Sequence, residues 1–242
     1  VNNRIVVSSL AILLSLEAGG GAQSAPAPAK HTAYYVNTQV LHIADLIPAP
    51  PSDNDPQTRT ELAEVHRVEA SRTPAQAAAA KADDEEEDIF VFRSVMGPSF
   101  TAAKLPLIAE LSNHVKGDQS VLGGELKTLF QRPRPYQSDK TLHPVCKLTD
   151  VHNSYPSGHS LSGYMLALTL SELVPAKRDA ILARADEYAH NRLVCGVHYR
   201  ADTEASRRIA YAAFGNMLAN PKFQTDLAAA REELRTASGN TH

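Results

Sequence analysis

The sequence has no tryptophan, only two cysteines, no excess of basic charge and no long apolar run beyond its first residues. Each shortage narrows what the chain can be. With 24 Lys and Arg against 27 Asp and Glu, and the two signs interleaved, no basic face is offered to nucleic acid, so no nucleic-acid partner is expected. Any anion site must be a local concentration of cations. No later segment is long and apolar enough to cross a bilayer, which argues against a membrane protein. Gly and Pro, at 12 and 15 residues, are not in excess, and no repeat of fixed period argues for a solenoid.

What is present points to helices. At 242 residues the chain can hold one sizeable core, and Ala, Leu and Glu dominate its second half, so an all-α, compact multi-helix bundle in a single domain is expected. The first 25 residues have the form of a secretory signal peptide. Arg4 gives the positive flank, Ile5 to Leu16 a short apolar stretch, and Ala22 to Ala25 a run of small residues suited to cleavage. Residues 26–242 are then the helical domain, exported to the periplasm or secreted. No cysteine near the cleavage site supports lipid attachment. In an oxidising compartment Cys146 and Cys195 are read as a disulfide, with two buried free thiols as the alternative.

Along the chain, a Pro/Ala run from Ser24 to Lys30 reads as a flexible start, and Tyr34 to Ala49 as an extended segment lying along the helical body. Leu62, Val65 and Val68 place an amphipathic helix over Thr60 to Arg72. A second begins at Thr73-Pro74 and runs through the acidic block Asp83 to Asp88 into Ile89-Phe92. The acidic block is expected to be a solvated face, with cation or partner binding as the alternative. Helical pattern over Ala102 to Val115, interrupted by Pro106, resumes from Gln119 to Phe130 after Gly117-Asp118. Arg132-Pro133-Arg134-Pro135 then forces the chain out of helix, and Asp139 to Asn153 is a loop bearing Cys146. Further helices are expected from Pro175, over Asp202 to Leu218, and peripherally over Thr225 to Thr236.

The stretch Asn153 to Val174 is the organising one. Leu161, Tyr164, Leu166, Leu168, Leu170 and Leu173 leave its helix no water side, so it should be central and buried. Its N-terminus then carries unpaired N–H groups and a partial positive charge, and Pro156-Ser157-Gly158 lets an anion approach closely. His159 stands at that mouth, placed to donate a proton to a bound phosphate. Polar residues also fall on apolar faces. Arg192 aligns with Ile181, Ala185 and Tyr188, and a buried arginine needs a carboxylate or an anionic ligand. His198 and Asp202, four apart on the stripe of Ile209, Ala213 and Met217, form an inward-facing pair that can fix an imidazole tautomer.

Together, Lys127-x6-Arg134-Pro135, Pro156-Ser157-Gly158-His159 and Arg192-x5-His198-x3-Asp202 resemble the three-part signature of the type 2 phosphatidic acid phosphatase superfamily, and within it the class A bacterial nonspecific acid phosphatases. The resemblance implies a metal-free, cofactor-free all-helical hydrolase of small phosphate monoesters, inhibited by inorganic phosphate or vanadate and assembled as a homodimer or higher homo-oligomer. In it His198 attacks phosphorus, Asp202 orients its ring, and His159 serves as acid and then base. Lys127, Arg134, Arg192, Ser157 and the backbone at Gly158 hold the phosphoryl oxygens. Asn153, Ser160 and Asn191 depart from the family's usual residues, and Asn191 is left out of the expected site.

Four rivals share parts of this pattern. A vanadium haloperoxidase has a similar anion pocket, and a membrane lipid phosphatase would need transmembrane helices that the sequence does not show. A zinc site on His159, His198 and Asp202 has plausible ligand types, but three basic residues repel a metal. A periplasmic phosphate-binding protein explains the cations without explaining two histidines and an aspartate beside them.

Overall fold

The computed structural model describes residues 32–239, except the side chains of the last two, and the expected signal peptide lies outside them. Nine α-helices and three short 3-10 turns make up the regular structure of these residues, and none of them is in a strand. Helix α1, Pro56–Ser71, starts where the Asp55 carboxylate accepts from the Gln57 amide and Pro56 presets the first turn. Helix α2, Pro74–Glu85, opens on a capping box in which Thr73 and Gln76 satisfy each other's backbone amides. A 3-10 turn at Ile89–Phe92 buries all four of its residues and leads into the single-turn helix α3, Arg93–Met96.

Helix α4, Pro106–Phe130, is one continuous element, where two segments broken at Gly117-Asp118 were expected. Pro106 does not interrupt it because it occupies the first turn, where its missing N–H removes no helical hydrogen bond. Asp118 is buried and turned off the helix, accepting from the amides of Tyr34, Tyr35 and Val36. That contact pins the extended N-terminal segment, whose Tyr35, Val36, Ile43 and Ile47 enter the core. The short helix α5, Pro135–Ser138, follows the Arg-Pro-Arg-Pro segment.

Helix α6, Gly158–Leu173, is the centre. Thirteen of its 16 residues are buried, which a helix without a polar face requires. It packs against α4 and against α7, Arg178–Val194, and α8, Arg200–Leu218. Helix α9, Pro221–Gly239, contributes Phe223, Leu227 and Ala230 to the same core, so it belongs to the body and is not peripheral. No described helix is long and apolar enough to cross a membrane. The N-terminal end of α6, the C-terminal ends of α4 and α7 and the start of α8 converge, and the polar side chains collect there.

Candidate active site

Lys127 stands in the last turn of α4. The helix ends because Gln131 turns left-handed, at φ 45°, and the prolines that follow cannot extend it. The reversed chain returns Arg134 beside Lys127, and both hold Asn153: Lys127 Nζ donates to its carbonyl, and Arg134 Nε to its Oδ1 at 2.9 Å. Burial, reinforced by the charge of Arg134, pulls the Lys127 ammonium down to about 7.

His198 lies in the two-residue lead into α8, buried against Asp202 in the helix's first turn. Nδ1 is 3.1 Å from Asp202 Oδ2, and Nε2 is 3.1 Å from Arg134 Nη1. A carboxylate facing Nδ1 places the proton there and leaves the Nε2 lone pair on the side of Arg134. Burial first, then the charges of Arg134, Arg192, Lys127 and His159, holds this imidazole well below its ordinary value. This favours the neutral ring, the form whose nitrogen lone pair is nucleophilic.

Arg192, in the last turn of α7, is buried, and its Nη1 donates to Asp84 Oδ1 at 2.7 Å. Its Nε has no hydrogen-bond partner, nor does the buried hydroxyl of Ser160 in the first turn of α6. Unpartnered donors of this kind near a helix N-terminus are suited to an anion. Ser157 caps α6 through its Oγ, while its amide donates to the Asp202 carbonyl at 3.2 Å. The first-turn amides of Gly158 and His159 have no acceptor within the helix.

The His159 ring lies between two acceptors, with Nδ1 3.2 Å from Glu87 Oε1 and Nε2 3.2 Å from the Asp84 carbonyl oxygen. Burial, followed by the charge of Arg192, brings it down to about 4, with Glu87 pulling the other way. The acidic block is thus no solvated face. Asp83 and Asp84 are buried, Asp83 pairs with Arg184 and accepts from Asn191 Nδ2 at 2.7 Å, and Asp84 holds Arg192. Burial opposes ionisation of Asp84, but the Lys147 amide and Arg192 keep its carboxyl below the usual range. Asn191 accordingly anchors Asp83.

The structure brings together every residue expected from sequence and adds others. Asp202 Oδ2 also accepts from Ser154 Oγ at 2.6 Å and from the Tyr199 amide at 2.9 Å, and Oδ1 accepts from Arg132 Nη1 at 2.7 Å. Arg132 in turn pairs with Glu61 of α1 at 3.0 Å. One of these carried a signal in the sequence: Glu61 sits one turn before Val65 on the inward face of α1. The cysteines are joined, with Cα atoms 5.3 Å apart, tying the loop before α6 to the end of α7.

Residues 108–224 match the model of the PAP2 superfamily. A non-specific acid phosphatase of Salmonella typhimurium is 31% identical over 78% of this chain and 78% of its own length. The chain belongs to the non-specific acid phosphatases of the PAP2 superfamily. A second member of that family, from Providencia stuartii, is 30% identical over 83% of this chain and 84% of its own. Among solved structures, a bacterial vanadium-dependent iodoperoxidase shares the fold, with a TM-score of 0.56 at 17% identity over 72% of this chain and 52% of that one. Its likeness is one of architecture.

Proposed function

We propose that this chain, an acid phosphatase by family, hydrolyses phosphate monoesters through a phosphohistidine on His198, without a metal ion, after export directed by residues 1–25. The reading rests on one observation above all. His198 faces Asp202 with Nδ1 and turns Nε2 toward Arg134 in a pocket that Lys127 and Arg192 also charge, and burial with those charges favours its neutral form.

In the first step Nε2 forms a bond to phosphorus as the ester P–O bond breaks, and His159 gives its proton to the departing alcohol oxygen. The phosphorylated ring is then cationic, and Asp202 at Nδ1 stabilises it. In the second step His159 takes a proton from water, the resulting hydroxide attacks phosphorus, and the N–P bond breaks to release phosphate and neutral His198. The three cations and the α6 amides balance charge on the phosphoryl oxygens, the work a metal does in other phosphoryl-transfer sites. General acid help from a positioned histidine is worth ~10²–10⁴-fold.

The scheme needs His159 protonated while His198 is neutral. In the free protein that order holds, with His198 far down and His159 at about 4, so activity should lie on the acid side. A bound phosphate dianion raises both imidazoles. An open cleft of about 520 Å³, lined by Lys127, Thr128, Gln131 and residues 150–153, lies beside the pocket and offers space for varied leaving groups.

The test is nitrophenol release from p-nitrophenyl phosphate in excess EDTA, for the native chain and His198→Ala, with acid-labile phosphate on the protein trapped by rapid quenching. Turnover in chelator with an acid optimum, abolished by the substitution, is the expected result. Activity that survives His198→Ala, or that appears only with added metal, would overturn the mechanism.

A further inference from the structure

We propose that Arg132 is a positioning residue for His198: it holds Asp202 as an anion with one oxygen turned to the imidazole, and Glu61 holds Arg132. This rests on the phosphohistidine reading and adds to it Arg132, at an unspecified position within the first motif, and Glu61, from outside the three-part signature. The line of contacts is continuous. His198 Nδ1 meets Asp202 Oδ2 at 3.1 Å, Asp202 Oδ1 takes Arg132 Nη1 at 2.7 Å, and Arg132 Nη2 reaches Glu61 Oε2 at 3.0 Å. Glu61 is fixed at its far end by the Ala201 amide at 2.9 Å and by Gln57 Nε2 at 3.3 Å, and the Arg132 guanidinium lies 4.0 Å over the Tyr199 ring.

The chemistry requires such a partner. Asp202 is wholly buried, and burial raises its carboxyl above its ordinary value; Arg132 is the largest influence limiting that rise, with Ser154 and the Tyr199 amide behind it, so the carboxylate depends on its guanidinium partner. A family of enzymes working in acid would otherwise let Asp202 pick up a proton, and a neutral carboxyl gives far less support to a phosphorylated, cationic ring. Arg132 acts from behind Asp202. It faces Asp202, Glu61 and the Tyr199 ring, whereas the charges that face His198 are Asp202, Arg134, Arg192, Lys127 and His159. Glu61 moderates the device. By sharing the guanidinium it keeps Arg132 from binding Asp202 so strongly that the carboxylate loses its pull on the imidazole.

The two neighbours therefore act with opposite sign, which a purely structural role would not produce. Arg132→Gln should lower kcat on p-nitrophenyl phosphate roughly tenfold or more in acid, leave KM within about twofold, and move the acid limb of the kcat profile up by about one pH unit. Arg132→Lys should restore part of both effects. Glu61→Gln, which keeps a hydrogen-bond acceptor, should move the same limb down. Melting temperatures are recorded for all three, and if Arg132→Gln does not fold, Arg132→Lys and Glu61→Gln carry the test. Acid limbs unmoved in the folded variants, or displaced in one direction by both neighbours, overturn the positioning role while the native enzyme's turnover stands. A native chain that is inactive, or that is unaffected by His198→Ala, instead overturns the reading beneath it.

Discussion

His159 sits between opposing charges, and that balance sets where activity ends on the alkaline side. Burial and Arg192 lower its proton affinity, while Glu87 at 3.2 Å raises it. Glu87→Gln keeps an acceptor and removes the charge, so His159 should lose its proton at lower pH. The alkaline limb of kcat on a phosphate monoester should then move down by roughly half to one unit, with the acid limb in place. An unmoved alkaline limb would mean that His159 is not the acid. At this scale the sequence was informative where spacing fixes a shared face: His198 with Asp202, Arg192 on the stripe of Ile181, and His159 after a Pro-Ser-Gly turn. It was silent on Arg132 and Ser154, which act through Asp202 from 70 and 48 residues away. Asp84 was masked by the acidic neighbours that made its block look like surface.

Elements meet most closely where α6 crosses α7. A Cβ added at Gly163 would stand 2.7 Å from Tyr188 Cδ1, and that ring has little room to give, being buried with its hydroxyl on the Glu86 carbonyl at 2.7 Å. Gly163→Ala should therefore destabilise the protein by about 1–3 kcal/mol, the usual range for overpacking. It should also reduce turnover, because the strand of chain that Tyr188 fastens also carries Asp84 and Glu87 to His159. Thermal melting and kcat of the variant check both, and an unchanged melting temperature would show that the helices slide apart freely. The central helix was legible because nothing along it is polar enough to face water. Element boundaries were less so: Gly117-Asp118 reads as a break, yet tertiary contacts of Asp118 with residues 34–36 make it part of one long helix. A local pattern does not contain that distant partner.

For the whole molecule, the arrangement depends on keeping the loop before α6 against the end of α7, and two side-chain ties do this. The Cys146–Cys195 disulfide closes a loop of 49 residues, and Arg72, at the end of α1, donates to the carbonyls of Val194 at 3.0 Å and His143 at 2.6 Å on the same two segments. Gly196 makes the contact tight: at φ 75°, it lies where a Cβ would stand 3.3 Å from Pro144 Cα, and the neighbouring Val145 amide donates to the Cys195 carbonyl at 3.0 Å. In the chain-entropy view a loop of this length contributes about 4 kcal/mol. For a body of this size that corresponds to roughly 8–16 °C in melting temperature. Reduction should thus lower the melting temperature by about that much while leaving activity at room temperature largely intact, because Arg72 still spans the two segments. Arg72→Ala alone should cost less, and the substitution combined with reduction should abolish activity by releasing Arg192 and His198 together. Scanning calorimetry with and without reductant, paired with phosphatase assays on both chains, distinguishes the cases. Equal melting temperatures would mean that the disulfide restrains nothing in the unfolded chain. Loss of activity on reduction alone would mean that Arg72 is no second tie.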